Sequence, residues 1–460
     1  MAFLFILLSF FRNLLLSRLG KRLEAMKILI ISTSDKEGGA AIAAARLTSA
    51  LYSSGVDVRM LVMHAETPDG LLGEICDTPL KKWEQRIVFY LERAEIYLRN
   101  GRDRGKLFHV STARWGFDLN SHPLVEWADI IHLHWINQGF LSLKGLAGLS
   151  RKGKPVVWTL HDLWPATAIC HHPRDCNRFA QEPACGYCPQ INSHRENDLS
   201  RQIAQQKKRV FVSLQPIIVG CSHWIKERAA TSSLLSTSNF YSIPNPIDTG
   251  FFHPIPREKA RAELALEVTS PASYFLLFGA VRAHDYRKGI GELSRTLHIL
   301  YKTKPEIRDH LKLLVFGQFT EEAAALLPPF QTFVLGYLSA DRMLRVYNAA
   351  DLFVTPSLEE NLPNTIMEAM ACGTPSLGFA TGGIPEMIND DNLGHVSPYR
   401  SSEDMAEYIY NHWRLCRTPD GQPTAFALQQ RRACRQSAKD RYDSSVVADL
   451  YKGLYDSLLE

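Results

Sequence analysis

Four charged side chains in the second half of the chain stand in an order that suits one task. Arg282 and Lys288 come first, six residues apart, and Glu360 and Glu368 follow, eight apart. A guanidinium offers a two-pronged donor and an ammonium a point charge. Across a single loop, Arg282 and Lys288 therefore suit one diphosphate. Glu360 falls in the loop entering a helical stretch at 363–372, and Glu368 lies about a turn and a half inside it. Carboxylates so placed accept hydrogen bonds from two sets of hydroxyls on one ligand, such as a ribose and a transferred sugar. The start of that helix adds bare N–H groups and the positive end of its dipole. Together these groups describe a sugar leaving a nucleoside diphosphate, with the growing charge neutralised by fixed cations. Taken singly, each glutamate has a plainer reading: Glu359 and Glu360 as an acidic helix start, Glu368 as a solvent-facing side chain.

These groups need a scaffold that brings loops together. Short apolar runs at 27–32, 56–62, 129–133, 156–160 and 217–220 read as buried parallel strands, separated by helical stretches at 41–52 and 84–99 and one starting at His223. A Pro-rich passage, Pro244-Asn245-Pro246 and then 254–256, reads as a linker. The pattern restarts with strands at 274–279, 311–316, 332–335, 352–355 and 376–379, a helix at 289–301, and closing helices at 402–415 and 428–459. The expected fold is α/β: two Rossmann-like doubly wound domains facing across a cleft, with a C-terminal helix crossing back to the first. The expected bounds are 1–25 for a leader, 26–250 and 258–430 for the two domains, and 431–460 for the closing helix.

In open parallel sheets ligands sit at the carboxyl ends of strands. The second half has such tips at Phe278–Arg282, at Gly336-Tyr337-Leu338 and at 357–368, where Asn361, Leu362 and Thr365 accompany the glutamates. The first half has a glycine loop with Gly38 and Gly39, and two histidine tips: His132-Leu133-His134-Trp135, and His161-Asp162-Leu163-Trp164. His132 and His134 are expected on opposite sides of their strand. His134, Trp135 and Trp164 are candidates for holding an acceptor, Trp164 by stacking on a sugar face or else by simple packing.

Cys170, Cys176, Cys185 and Cys188 cluster in a Pro/Gly-rich segment, with His171 and His172 beside the first. The closing CxxC suits a structural zinc clasp, but the spacing is not that of a standard finger, so metal-free thiols and disulfides stay open. Four sulfur ligands would leave no position for catalysis. The other five of the nine cysteines are isolated, which fits a reducing compartment.

The 460 residues are 45% hydrophobic and 22% charged, with a formal net charge of +4. This composition excludes a disordered chain, and the scattered basic residues give no footprint for nucleic acid. Residues 1–11 are almost wholly apolar and are followed by Arg12, Arg18, Lys21 and Arg22. The run is about half the roughly 20 residues needed to span a bilayer, and its charges follow rather than precede it. It reads either as an interfacial anchor at a membrane's inner face or as a stretch preceding a native start at Met26.

The second half resembles the donor domain of the retaining, GT-B-fold glycosyltransferases of family four. The resemblance rests on the spacing of Glu360 and Glu368, on Glu368-Ala369-Met370-Ala371-Cys372-Gly373-Thr374-Pro375, and on Gly382-Gly383-Ile384-Pro385-Glu386. In the first half His132–Ile136, Trp158–Trp164 and the cysteine cluster look like the colanic-acid and exopolysaccharide branch of that family. The resemblance implies that Arg282 and Lys288 hold the diphosphate, Glu368 the ribose, and Glu360 the donor sugar, near the backbone amides of Asn361 and Leu362. It gives His161 a contact to the donor sugar and lets Gly38 and Gly39 approach the ligand closely. It implies a nucleotide-diphosphate sugar of UDP or GDP type, a glycan or polyprenyl-linked acceptor, retention and no cofactor for catalysis. The expected location is the cytoplasm, or the inner face of the plasma membrane where the leader serves as an anchor. One departure is that Asn361-Leu362-Pro363-Asn364 replaces a commonly Gly-rich stretch. No DxD-type metal pair stands at a strand tip, and Asp390-Asp391 reads as a surface turn. The rival readings are a nucleotide-sugar-binding subunit of an assembly complex and an epimerase of the same fold. A Rossmann oxidoreductase is disfavoured because the opening loop lacks GxGxxG.

Overall fold

The computed structural model describes residues 26–66, 70–267, 270, 272–282, 285–418 and 420–460, with the backbone alone at 280–282. The leader at 1–25 lies outside the described residues. Among the described residues thirteen strands form two sheets in which every strand pairing is parallel. The first contains β1 (Lys27–Ile31), β2 (Asp57–Val62), β3 (Leu72–Glu74), β4 (Ile130–Leu133), β5 (Val156–Leu160), β6 (Ile217–Gly220) and β7 (Phe240–Ser242), in the order 3-2-1-4-5-6-7. The second contains β8 (Tyr274–Arg282), β9 (Leu311–Gln318), β10 (Gln331–Gly336), β11 (Leu352–Thr355), β12 (Ser376–Phe379) and β13 (Gly394–Ser397), in the order 10-9-8-11-12-13.

Helices cover both faces of each sheet, so the central strands are buried on both sides: β4, β5 and β11 have no exposed residue. Each fully buried Leu, Ile or Val in them contributes about 1.5–3 kcal/mol relative to its exposed state. In both sheets the strand order reverses once, between β1 and β4 and between β8 and β11. Crevices open beyond the carboxyl ends of strands at such switch points. The glycine loop follows β1, His134 follows β4, Lys288 follows β8, and Glu360 follows β11. The candidate groups therefore leave the four strands that flank the two switch points.

The expected long closing helix is two helices, Ala425–Tyr442 and Ser444–Leu459, so a boundary at 431 falls inside the first. The chain turns at Asp443, where ψ is 140°, and the Asp443 carboxylate caps the next helix through the Ser445 N–H at 2.9 Å. The second helix crosses back to the first domain. Its Val447, Ala448, Tyr451, Leu454 and Tyr455 are buried in the same cluster as Ile28, Ile30 and Val58. Helix 84–99 begins earlier than its apolar residues indicate, as Pro79–Arg99, because Thr78 caps it and Pro79 occupies its first turn. Among the described residues no helix is long and apolar enough to cross a membrane.

Candidate functional site

Two helices point bare N-termini at one another across the cleft. The first, Gly39–Ser53, starts from Gly38, whose φ of +89° favours glycine, and no side chain caps it. The second, Asn364–Ala371, follows Pro363 and also lacks a side-chain cap. Asn364 Nδ2 donates to the Gly39 carbonyl at 3.2 Å, so the two ends meet. Helices elsewhere among the described residues receive caps from Thr78, Ser142, Asp198, Ser222, Ser339, Ser401 and Thr424, while Arg257–Glu263, Ile290–Thr303 and Ile384–Met387 also lack a side-chain cap. Uncapped first-turn N–H groups with the dipole behind them attract an anion.

The charged groups lie on the segments that enter these helices. Lys288 Nζ stands 2.8 and 3.0 Å from the two Glu360 carboxylate oxygens. The next residue, Gly289, has φ +72°, and a Cβ there would lie 1.8 Å from the Pro356 carbonyl oxygen, so the lysine loop sits directly on the chain that leads to Glu360. Glu368 is buried, 8% exposed. One of its oxygens accepts from Arg46 Nη2 at 2.6 Å and the other from the Tyr347 hydroxyl at 2.7 Å. Arg46 belongs to the first domain and lies over the Phe252 ring. It was not singled out from the sequence, although it stands seven residues after Gly39 and so shares the face of that helix turned to the loop. Arg282 closes β8, and its side chain is outside the described residues.

Further interdomain contacts hold the cleft together. Asn361 Nδ2 donates to the Leu160 carbonyl at 3.1 Å and to Cys221 Sγ at 2.9 Å, while its Oδ1 accepts from Ser222 Oγ at 2.7 Å. The Asn361 side chain is thus a clasp to the first domain. Glu386 accepts from the His223 and Trp224 N–H groups at 2.8 and 2.6 Å, supplementing Ser222 at the start of helix His223–Ala230. Among the remaining candidates, Leu362 is buried and Thr365 half-buried. Gly336 has φ +65°, Tyr337 is 68% exposed, and Leu338 packs on the second domain's core.

On the first-domain side, His134 Nδ1 and His161 Nε2 share a hydrogen bond at 2.9 Å, and their rings stack. Burial holds both imidazoles down, His161 to about 4 and His134 well below its ordinary value, so both are neutral at pH 7. His132 and His134 do not face opposite sides. Their ring centroids are 4.5 Å apart, because residues two apart along a strand share a face. His132 bonds to the Tyr455 hydroxyl at 2.7 Å and to Thr159 Oγ1 at 2.8 Å, which ties the crossing helix to β4 and β5. Half-buried Trp135 donates its indole N–H to Asp162 at 2.9 Å. Asp162 also accepts from His171 at 2.7 Å and from the Trp164 N–H at 2.8 Å. Burial, the largest single influence, works against its charge, but His171, His172 and the Trp164 N–H together outweigh it and hold the carboxyl well below the usual range. Trp164 has no exposed surface; its indole N–H bonds to the Ser111 carbonyl, and the buried Lys207 ammonium lies 3.1 Å from a ring centroid. It is a core residue and presents no face to an acceptor.

The cysteine segment lies against the same region. Cys170, Cys176, Cys185 and Cys188 line one small cavity, and all four are free thiols. Burial, foremost, raises the Cys185 thiol to about 11 and Cys188 to about 12. Among the described residues no three Cys, His, Asp or Glu side chains stand arrayed to hold a metal ion. From the start of this segment His172 bonds to Arg287, which pairs with Asp285, and approaches Glu359 at 3.5 Å. The cysteine segment thus reaches across to the lysine loop.

The family model described as Glycosyltransferase Family 4 matches residues 37–251, and that described as Glycosyl transferases group 1 matches residues 273–414. Alpha-maltose-1-phosphate synthase of Mycolicibacterium smegmatis is 25% identical over 63% of this chain and 69% of its own length. WcaC of Escherichia coli, named as a glycosyl transferase of colanic acid biosynthesis, is 24% identical over 58% of this chain and 64% of its own. Sucrose-phosphate synthase from Thermosynechococcus elongatus superposes with a TM-score of 0.62 at 18% identity, over 94% of this chain and 99% of its own. Anabaena HepE in complex with UDP-glucose superposes at 0.55 and 15% identity, over 94% and 100%. The two family models together account for most of a chain whose two parallel sheets have the GT-B architecture, and the protein belongs to the family 4 and group 1 glycosyltransferases.

Proposed function

We propose that the protein transfers a hexosyl-type residue from a nucleoside diphosphate sugar, of UDP or GDP type, to a glycan or polyprenyl-linked acceptor. The transfer retains anomeric configuration and uses no catalytic metal, in the assembly of an exopolysaccharide or other cell-surface polysaccharide on the cytoplasmic side of the membrane. The observation that carries this reading is the meeting of two uncapped helix N-termini at the cleft, on segments that also bring Lys288, Glu360 and Glu368. A fold neighbour that holds UDP-glucose supports a donor of that class.

In this reading the acceptor hydroxyl attacks the anomeric carbon on the face the diphosphate leaves. The C–O bond to the diphosphate breaks with its electron pair going to the diphosphate oxygen, and that oxygen takes the acceptor's proton. Arg282, Lys288 and the two sets of helix N–H groups stabilise the departing charge. Glu360, released from Lys288, accepts from the donor sugar's hydroxyls, and Glu368, released from Arg46, from the ribose. Neutral His161, braced by His134, contacts the sugar, and the Gly336-Tyr337-Leu338 and Thr365 positions border the nucleotide. His134 and Trp135 remain candidates on the acceptor side.

Two further parts belong to this proposal. The cysteine cluster is a structural zinc clasp; an ion would have to draw the thiols inward, and that would hold the segment from which His172 reaches Arg287. Membrane contact is made by helix Pro79–Arg99. Its Leu80, Trp83, Ile87, Tyr90 and Leu98 are all exposed at helical spacing, with exposed Lys82, Arg86 and Arg99 beside them, while Glu92 and Arg93 are turned inward. An apolar aromatic stripe flanked by cations fits the headgroup layer of an anionic bilayer, where a lipid-linked acceptor resides.

A thermal-shift screen of nucleotide sugars tests the core claim. One donor should stabilise the wild type, and Glu368→Ala should abolish the shift, with product analysis on the stabilising donor. No response to any nucleotide sugar would sink the reading.

A further inference from the structure

A second cavity, of about 330 Å³, lies away from the residues of the cleft. It lies between the end of the interdomain linker and the helix Ala425–Tyr442, and is lined by Pro254, Pro256, Pro423, Leu428 and the side chains of Arg257, Arg417 and Arg431. Its charges do not balance. Arg257, Arg261 and Arg417 all converge on one carboxylate, Asp351, at 2.9, 2.7 and 3.1 Å. Arg431 adds a fourth guanidinium, which donates to two neutral groups, the Ile255 carbonyl at 2.6 Å and Asn348 Oδ1 at 2.9 Å. The other acid at the rim, Glu258, is exposed. The side chain of Arg417 is 6% exposed, and its Nε, like that of Arg257, is buried with no hydrogen-bond partner among the described residues.

Buried cations in excess of their counter-charges are expensive. Burial first, and then the neighbouring guanidiniums, pull Arg261 and Arg431 down to about 10. Planar guanidiniums are matched by the oxygens of a phosphoryl group, whose double charge also answers the local excess. The prolines and Leu428 leave room and an apolar wall for whatever body carries it.

We propose that this cavity is a second ligand site, taking a phosphate dianion either as inorganic phosphate or as the phosphoryl group of a small phosphomonoester. Arg431 joins it to the cleft. Its partner Asn348 adjoins Tyr347, which holds Glu368.

The test is titration calorimetry and thermal shift on the full chain with inorganic phosphate and, separately, glucose 6-phosphate, at constant ionic strength. Saturable stabilisation by one or both is expected, and their relative affinity tells free phosphate from phosphomonoester. Arg431→Gln should weaken binding at least tenfold. Leu428→Glu, which removes no buried guanidinium and places a carboxylate at the mouth, should do the same without lowering the melting temperature of the ligand-free protein. Glu368→Ala, a change in the cleft, should leave phosphate binding intact, so this proposal and the nucleotide-sugar reading fail separately. Two results overturn it: stabilisation matched by chloride at equal ionic strength, or phosphate binding that survives Leu428→Glu but is lost with Lys288→Ala.

Discussion

Replacing Arg46 by methionine asks what the interdomain ion pair does. Arg46 and Glu368 touch at 2.6 Å with side chains 20% and 10% exposed. In surroundings of effective dielectric near 20, charges about 4 Å apart attract by about 4 kcal/mol. Desolvation of both groups returns much of that, leaving about 1–3 kcal/mol for a pair between the surface and core limits. Methionine keeps the apolar stem against Phe252 and deletes the charge. If a ribose must take the Glu368 oxygen that Arg46 now holds, the variant should lose about 1–3 kcal/mol of unfolding stability and gain nucleotide affinity, about tenfold for each 1.4 kcal/mol of competition removed. Urea unfolding reads the first quantity and calorimetry with UDP and GDP the second. Glu368→Gln should weaken the nucleotide. The reasoning is refuted if Arg46→Met weakens nucleotide binding while Glu368→Gln leaves it unchanged. Arg46 would then be the ligand contact and the carboxylate only its anchor.

Acid should destabilise the fold in a window set by buried histidines. Burial depresses His132 to about 3 and His412 and His161 to about 4, against an ordinary 6.5. Below pH 6.5 the unfolded chain binds protons that the folded chain refuses, so stability present above that pH is lost as pH falls toward 4, by at most about 1.4 kcal/mol per unit for each histidine. A urea midpoint equal at pH 7 and pH 5 would contradict this. Trp83→Glu together with Tyr90→Glu, on exposed positions, should cut sedimentation with phosphatidylglycerol vesicles several-fold while leaving the melting temperature within about 2 °C, since surface changes of this kind shift stability little; equal sedimentation rejects the helix as the contact. Elemental analysis of protein purified without chelator should find about one zinc per chain, lost in Cys185→Ser with Cys188→Ser. Absence of zinc from wild-type protein removes the clasp.

What the sequence made legible was local. Buried parallel strands are continuous apolar runs, so β4, β5, β8 and β11 stood out, and with them the loops that end at His134, His161, Lys288 and Glu360. Glu368 and Lys288 were visible as types at a spacing, but not their present partners. Arg46 lies 322 residues from Glu368, and no window spans that distance. Trp164 looked like a tip residue because it follows β5 closely, yet the chain folds inward there to meet Ser111 and Lys207. The orientation of helix Pro79–Arg99 was not legible for a related reason. Periodicity shows that a helix has an apolar face but not which way the face turns, and here charged Glu92 and Arg93 go inward to bond the loop at 107–113. The break at Asp443 was hidden because Asp is tolerated in helices and its capping role depends on a dihedral angle.

Most charged groups at the cleft are paired with one another, although Arg46 Nη1 and His134 Nε2 are buried with no hydrogen-bond partner among the described residues. Lys288 neutralises Glu360, Arg46 neutralises Glu368, Asn361 and Glu386 fasten the two domains, and Asn364 reaches Gly39. In the proposed function, a nucleotide sugar would bring a diphosphate for the lysine and hydroxyls for both glutamates, and so would replace the Lys288–Glu360 and Arg46–Glu368 pairings with ones of similar kind. The apolar contact that joins the domains lies elsewhere, in the Ser444–Leu459 helix buried on the first sheet. That helix can hold the halves together while the polar clasps at the cleft exchange. This division of labour explains how a cleft closed by its own charges can still open to ligand: separating Arg46 from Glu368 and Asn361 from Leu160 exposes polar groups that water or substrate can satisfy, at a cost far below that of parting a hydrophobic core.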